Sequence, residues 1–184
     1  MRLLDCGCGA ATITIGLAEA VAPGEVVGID LAPVQVERAR ALARERGLAN
    51  LRFKVGDVTA LPFADGEFDA AFASNVLQYL RDPRVGYREL RRVVRPGGVV
   101  GLLDPDVSSM RLAPDSPFTR EFLPLFFRFR EEGASPYYAP QQRSFLRAAG
   151  FVNVRAITFT ESMETPEATQ ALADALVDVL SLPT

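Results

Sequence analysis

Short apolar runs alternate with helical patterns along the first 104 residues, and this alternation limits the fold more than any other feature. The runs are five to seven residues long, a length that suits buried strands. They are 2–6, 25–30, 51–57, 68–74 and 98–104. Apolar residues between most of them recur at three- and four-residue intervals, as in helices. The pattern predicts an α/β, doubly wound fold, with a mainly parallel sheet covered by helices on both faces.

Three helices are predicted between these strands. The first covers 11–21, the second begins at Pro33 and ends at Gly47, and the third begins at Pro83 and ends before the Pro-Gly-Gly sequence at 96–98. After residue 104 the pattern predicts an aromatic helix at 118–129, a helix at 140–150, a strand at 151–160 and a helix at 166–181. We expect Pro124 to kink or divide the aromatic helix.

The composition narrows the classes of protein. A chain of 184 residues with 48% hydrophobic content suits one domain over 1–184. The net charge of −3 makes nucleic acid a poor default partner, and no apolar run reaches the roughly 20 residues that cross a bilayer. Cys6 and Cys8 are too close in an extended stretch to pair, so we expect free thiols and a cytoplasmic location. The absence of histidine removes the commonest metal ligand, and we expect no metal site.

The stretch LLDCGCGAATITIGLA places a thin turn between the first strand and the first helix. Glycine at Gly7 and Gly9 allows close approach to the backbone, and the free N–H groups of the helix suit a carboxylate or phosphate. A pair of glycines after a strand is also often only a tight turn. The turn alone therefore leaves both interpretations open.

Two aspartates at other strand ends favour a ligand. Asp30 closes the second strand about 20 residues beyond the turn, where a carboxylate can accept both hydroxyls of a ribose. Asp57 ends the third strand and can accept from an exocyclic amine such as that of adenine. Each is also a suitable helix cap or turn residue. Together with the turn, they match a ligand with a carboxylate, a ribose and an adenine.

The segments LLDCGCGAATITIGLA, VVGID, GDVTALPFADGEFDAAFASNVLQYLRDP and LRRVVRPGGVV resemble, in order and spacing, the class I S-adenosylmethionine-dependent methyltransferases. The similarity is to the type 11 branch, which includes small-molecule and quinone methyltransferases. It covers residues 2–104, and YYAPQQRSFLRAAGFVNV is similar to a late helix and strand of that branch. The resemblance implies S-adenosylmethionine as cofactor and in-line methyl transfer to a small, partly apolar acceptor.

The resemblance also assigns cofactor-binding residues. They are Asp5, Gly7, Gly9, Asp30, Leu31, Asp57, Val58, Ser74 and Asn75. It implies that the first three form the turn beside the methionine part, with the aspartate orienting it, and that the last two border the same part. It implies that Asp30 holds the ribose, that Leu31 packs on the adenine, and that Asp57 and the Val58 backbone read the adenine edge. The third glycine of the family is Ala11 here.

Catalytic residues are less clearly marked, because in-line displacement needs no protein nucleophile. A proton on the acceptor could be relayed by Tyr79, Asp104 or Asp106, although each also fits a structural role. The segment 105–138 is predicted to cover the acceptor. Arg111, Phe126, Tyr137 and Tyr138 are its candidate lining residues.

Two other functions fit parts of the pattern. A noncatalytic or degenerate cofactor-binding module is compatible with Ala11 and the absent histidine. A nicotinamide-dependent oxidoreductase shares the turn, but its fingerprint needs a small residue at the position of Thr12. The sequence also lacks the family's helix before the first strand and its last antiparallel strand. We expect an uncovered sheet edge to favour a homodimer.

Overall fold

The five apolar runs form one parallel sheet in a computed structural model, which describes residues 1–113, 116–133, 135 and 137–158. The strands are β1 (Arg2–Cys6), β2 (Glu25–Asp30), β3 (Leu51–Val55), β4 (Phe68–Ser74) and β5 (Val94–Leu103). Their order is β3-β2-β1-β4-β5, and every pairing is parallel. Because the order reverses beside β1, the chain has the switch point at which doubly wound sheets bind ligands.

Five α-helices accompany the sheet in the part of the chain that the structure describes. They are α1 (Thr12–Val21), α2 (Pro33–Glu45), α3 (Pro83–Val93), α4 (Pro117–Gly133) and α5 (Gln142–Ala148). Short 3₁₀ helices occur at Leu77–Tyr79, Val107–Ser109 and Ala139–Gln141. Proline at the first position of α2 and α3 explains why both begin where the sequence predicts.

The core has two layers because successive strand residues point to opposite faces. Leu3 packs in the layer formed by α1 and α2, with Ile15 and Ala43. Leu4 packs in the layer that holds the buried face of α3 and the partly buried side chains of α5, including Tyr87 and Phe145. Helices therefore cover both faces, as the predicted fold requires.

Some local predictions are wrong. Residues 151–158 form no strand, and they pair with none of the five strands; the side chains of Val152 and Ile157 are 82% and 89% exposed. β5 begins before the Pro-Gly-Gly sequence rather than after it, since the register between Phe68 and Ala70 is irregular and the extra residues of β5 bulge out. Pro124 lies inside α4 without dividing it, so of the two predicted effects a kink stays a prediction. β3 ends two residues earlier than predicted.

The chain divides into two units, Met1–Val154 and Arg155–Thr184. All strands and helices given above belong to the first unit. Only residues 155–158 of the second are described, and they have no regular secondary structure. The predicted helix at 166–181 lies outside the described residues, and a single domain over 1–184 stays a prediction. No helix in the described part of the chain has the length and apolar character to cross a membrane.

Candidate functional site

The carboxyl ends of the five strands bring most of the predicted site residues to one edge of the sheet. Cys6 is in register with Ile29 and Ala73, so the turn after β1 lies between the ends of β2 and β4. Ser74 is in register with Leu103 at the end of β5. We call this edge, which carries Asp5, Gly7, Gly9, Asp30, Ser74, Asn75 and Asp104, the carboxyl edge.

The turn after β1 is held against β2 by its backbone. The N–H groups of Gly7 and Cys8 both donate to the Ile29 carbonyl, at 2.7 and 3.0 Å. Gly7, Gly9 and Ala11 have φ angles of 70°, 52° and 71°, all in the left-handed region. Glycine adopts this region at little cost, whereas the alanine at the N-terminus of α1 does not. Ala11 therefore adopts the same left-handed conformation as Gly7 and Gly9, although it is not a glycine.

Space around the two glycines differs sharply. A Cβ atom on Gly7 would lie 2.1 Å from Cγ2 of Val76, so no side chain fits there. A Cβ on Gly9 would meet no atom within 4 Å. Gly7 thus packs against the residues after β4, and Gly9 faces open space at the carboxyl edge.

Asp30 has a fixed carboxylate. Oδ2 accepts a hydrogen bond from the Gly9 N–H at 2.9 Å, and Oδ1 accepts one from the Ala32 N–H at 2.9 Å. Each carboxylate oxygen retains further acceptor capacity. The neighbouring Leu31 side chain is 70% exposed, which is unusual for a leucine and leaves an apolar surface beside the carboxylate.

Asp5 is buried beneath the turn. Its Oδ2 accepts a 2.7 Å hydrogen bond from the Thr14 hydroxyl on α1. Burial, with a smaller contribution from the nearby charge of Asp30, raises the pKa of Asp5 to about 6 against the lowering effect of the Thr14 bond. The sequence does not predict that Thr14 binds Asp5, because a threonine in the first turn of a helix can have many other roles.

Asn75 follows β4 and joins it to β5. Its N–H donates to Oδ1 of Asp104 at 3.0 Å, and its side-chain oxygen accepts from Nε2 of Gln78 at 2.8 Å. Nε2 of Gln142, at the start of α5, donates to Oδ2 of Asp104. Burial raises the pKa of Asp104 above its usual value, although both hydrogen bonds oppose that effect.

The remaining candidates are placed less centrally. Oδ1 of Asp57 caps the turn after β3 by accepting from the Thr59 N–H at 2.7 Å, and Val58 is buried. Tyr79 lies in the first 3₁₀ helix and is 51% exposed. Asp106 caps the second 3₁₀ helix by accepting from the Ser108 N–H at 3.1 Å. Asp57 and Asp106 therefore act as turn and cap residues, the structural roles that the sequence allowed for them.

The candidate lining residues of the acceptor cover separate into two groups. Tyr138 is buried in the core, where its hydroxyl lies 2.7 Å from that of Tyr87, so it does not line an open surface. Tyr137 is 55% exposed. Arg111 is exposed and Phe126 is half-buried.

Some acids of the described residues form ion pairs and others, at the carboxyl edge and elsewhere, do not. Ion pairs involve Glu25, Glu37, Asp65, Glu67, Asp69, Asp82 and Glu89. Within the described residues, Asp5, Asp30, Asp57, Asp104 and Asp106 form none. Of these, Asp5, Asp30 and Asp104 belong to the carboxyl edge, so this edge carries carboxylates without a cationic partner in the described residues. Such an arrangement favours a positively charged ligand.

Other chemistry is less well supported. Burial raises the pKa of Cys8 to about 12 and that of Cys6 well above its usual value, so neither thiol ionises at neutral pH. Over the described ranges, no three potential ligand side chains group around a metal position. Two open cavities of about 460 and 430 Å³ lie beside the first residues of β5 and β3, and neither is lined by a predicted site residue.

Comparison with known proteins identifies the class. Residues 1–122 match the family model described as a methyltransferase domain. The chain is 30% identical over 173 residues to a demethylmenaquinone methyltransferase of Staphylococcus aureus, covering 86% of this chain and 71% of that protein. An uncharacterised methyltransferase of Schizosaccharomyces pombe is 38% identical over 119 residues, or 61% of this chain and 43% of that protein.

The fold has solved relatives as well. A crystal structure of a SAM-dependent methyltransferase from Aquifex aeolicus superposes with a TM-score of 0.63 at 24% identity, over 82% of this chain and 71% of that one. The fold is therefore that of the class I S-adenosylmethionine-dependent methyltransferases. The chain belongs to the methyltransferase domain family. It spans 34% and 43% of the length of two of the curated relatives it matches.

Proposed function

We propose that the protein transfers a methyl group from S-adenosylmethionine to a small, partly apolar molecule, with the cofactor bound at the carboxyl edge. The observation that carries this proposal is a turn that opens to solvent at Gly9 and whose Gly9 N–H is bonded to the Asp30 carboxylate, which forms no ion pair in the described residues. S-adenosylmethionine carries a sulfonium and an ammonium group, so the charge of the edge is complementary to it. The family assignment supports the same cofactor.

Asp30 is the residue assigned to the ribose. Its carboxylate is already oriented by the Gly9 and Ala32 N–H groups. A pre-oriented carboxylate loses little conformational entropy on binding, and it can still accept from two hydroxyls. Leu31 offers the exposed apolar surface beside it for the adenine.

The adenine edge is assigned to Asp57 and the backbone of Val58. Oδ1 of Asp57 is occupied by the Thr59 N–H, whereas Oδ2 has no protein donor within the described residues and is available to an exocyclic amine. The burial of Val58 fixes the backbone at this point.

The chemistry places few demands on side chains. When bound, S-adenosylmethionine supplies an electrophilic methyl group on its sulfonium. The chain's own residues hold the two reactants in line, which can supply much of the rate acceleration without a nucleophile. Where the acceptor loses a proton, Tyr79, Asp104 and Asp106 are the titratable candidates from the sequence; the last two also hold structural hydrogen bonds.

The acceptor is assigned to the cover segment 105–138. Tyr137 and Phe126 offer aromatic surface and Arg111 a positive charge, which together suit a small molecule with apolar and polar parts. The relative from Staphylococcus aureus is named for demethylmenaquinone, and this name supports an acceptor of partly apolar character.

Thermal unfolding tests the cofactor. S-adenosylhomocysteine, the demethylated product, should raise the midpoint of wild type, whereas NAD should not, because a ligand that binds only the folded state stabilises it. Asp30→Ala should abolish the shift. Glu45→Ala, at the exposed end of α2, is the control that keeps it. A transition that the product leaves unmoved would contradict the proposal, and binding without turnover over a broad acceptor panel would indicate a noncatalytic module.

A homodimer through β5 is part of the same proposal. β5 is the last strand of the sheet among the described residues, and its Val99 and Leu103 side chains are 67% and 42% exposed. An edge of this kind favours pairing with a second copy. Light scattering after size exclusion tests it, with Val99→Lys expected to yield the monomer. A monomeric wild type would contradict it.

A further inference from the structure

We propose that Asp104 is a positioning residue, which sets the segment after β4 against the turn after β1 and ties it to α5. The inference rests on the proposed function, since the segment and the turn would be the two sides of the methionine part of the site. The inference assigns Gln142, a residue outside the predicted site, a role in cofactor binding.

The first contact of Asp104 is with the backbone of Asn75. Oδ1 accepts from the Asn75 N–H at 3.0 Å, a bond between a carboxylate and a backbone donor that is stronger than one between neutral groups. Asn75 has a φ of 56°, which a residue with a side chain adopts at a cost. Gln78 holds the side-chain oxygen of Asn75 at 2.8 Å. The Asn75 N–H also donates to the Leu103 carbonyl at 3.3 Å, and together these bonds keep the residue in this conformation.

The next residue, Val76, transmits this placement to the turn. A Cβ atom on Gly7 would be 2.1 Å from Cγ2 of Val76, so the valine side chain lies directly against the glycine. Gly7 itself is fixed to β2 through the Ile29 carbonyl at 2.7 Å. A shift of Asn75 would therefore move a group that packs on the turn.

The second contact of Asp104 reaches α5. Oδ2 accepts from Nε2 of Gln142, the first residue of that helix. Tyr138, four residues before Gln142, places its hydroxyl 2.7 Å from that of Tyr87 of α3 in the core, and its ring stacks on Phe145 of α5. The half-buried bond from Gln142 to Asp104 therefore ties the end of β5 to the start of a helix whose Phe145 packs against the core.

Both oxygens of Asp104 accept from N–H donors, and this predicts the outcome of a conservative change. In Asp104→Asn, the side-chain carbonyl can still accept from the Asn75 N–H. The new NH₂ group can donate to the side-chain oxygen of Gln142 once the Gln142 amide has rotated by half a turn. Asp104→Ala loses both bonds. A positioning role therefore predicts that the asparagine variant retains most of the function and the alanine variant does not.

The test combines calorimetric binding of S-adenosylhomocysteine with amide hydrogen exchange of the unliganded chain. In Asp104→Ala the dissociation constant should rise about tenfold, as expected from one lost charge-assisted hydrogen bond, and the Asn75 amide should exchange faster. Asp104→Asn should stay within about threefold of wild type. Asp69→Ala is the matched control, since that carboxylate also accepts a backbone N–H, from Arg2 at 2.6 Å, but lies at the start of β4. Its binding should equal that of wild type.

Unchanged affinity and unchanged Asn75 exchange in Asp104→Ala would overturn the inference, as would an asparagine variant as impaired as the alanine variant. If Asp104→Ala does not fold, Gln142→Leu decides. It leaves Asp104 and Asn75 in place and should weaken binding about threefold with faster Asn75 exchange; wild-type values would overturn the tie to α5. If wild type itself does not bind the product, the proposed function fails, whereas the exchange comparison still tests the positioning.

Discussion

The hydroxyl of Thr14 donates to Oδ2 of Asp5 at 2.7 Å, and both side chains are buried. This one bond does not offset the cost of burying a carboxylate, so the pKa of Asp5 stands at about 6, above its usual 3.8. At Asp5 the folded chain therefore binds more of a proton than the unfolded chain between about pH 4 and pH 6. The contribution of Asp5 to stability should fall as the pH rises through this window and then level off.

Asp5→Asn should remove that contribution while its side-chain carbonyl keeps the Thr14 bond. At pH 7 its free energy of unfolding should exceed that of wild type by roughly 1–3 kcal/mol, and the difference should shrink towards pH 4. Urea unfolding at several pH values measures it. Glu45→Gln is the charge-matched control on the surface. Parallel pH profiles for Asp5→Asn and wild type would show that burial of this carboxylate does not govern acid stability.

The two glycines of the turn should respond differently to alanine. Gly7→Ala forces a methyl group into Val76 at a φ of 70°, and it should destabilise the fold by about 2–5 kcal/mol. Gly9→Ala meets no atom, so its cost should be only about 1–2 kcal/mol from the left-handed backbone. Its methyl group would instead occupy the open side of the turn and weaken product binding.

Chemical denaturation and calorimetry of the two variants separate these effects. A Gly9→Ala protein that binds S-adenosylhomocysteine as wild type does would place the ligand elsewhere. A Gly7→Ala protein of unchanged stability would mean that Val76 can move away.

The sheet and its helices could be predicted because their signals are local. Apolar runs mark β1, β2 and β4 to the residue, and Pro33 and Pro83 mark two helix starts. The carboxyl edge follows from parallel topology alone. The topology does not tell which side chains meet at that edge. Nothing local pairs Asp104 with Gln142, 38 positions apart, or Tyr87 with Tyr138, 51 positions apart.

The predictions at 96–98 and 151–158 are wrong for a common reason: in both places the structure depends on how a strand pairs with its neighbour, and the local sequence does not specify that pairing. Pro-Gly-Gly is a stop signal for a helix, but α3 has already ended at Val93, and the extra residues enter β5 as a bulge. The segment 151–158 has the alternation of a strand, yet a strand also needs a neighbour with which to pair, and it has none among the described strands. Pairing is not encoded in the segment itself.

Ala11 provides a test of how much the missing third glycine matters. Its φ of 71° favours glycine, but its methyl group is fully buried and does not face the carboxyl edge. Ala11→Gly gains from backbone relief and loses buried apolar surface and chain rigidity, so stability should stay within about 1 kcal/mol of wild type. Product affinity should be unchanged in calorimetry. A clear gain in affinity would mean that the alanine impairs the site.

Arg92 should be the most important arginine for stability. Its guanidinium binds Glu89 at 2.7 Å, Asp65 at 2.9 Å and the carbonyls of Phe63 and Leu61 at 2.7 and 2.8 Å. It thereby fixes the loop between β3 and β4 to α3.

Arg92→Ala should destabilise the fold by about 2–3 kcal/mol, since buried carbonyls lose a charged donor. Arg88→Ala, on the exposed face of the same helix, removes the same charge and should change stability by less than about 0.5 kcal/mol. Urea unfolding of both variants measures the difference. Equal, small effects would mean that water replaces the guanidinium at the loop, and that the packing of Leu61 and Phe63 against the core holds it instead.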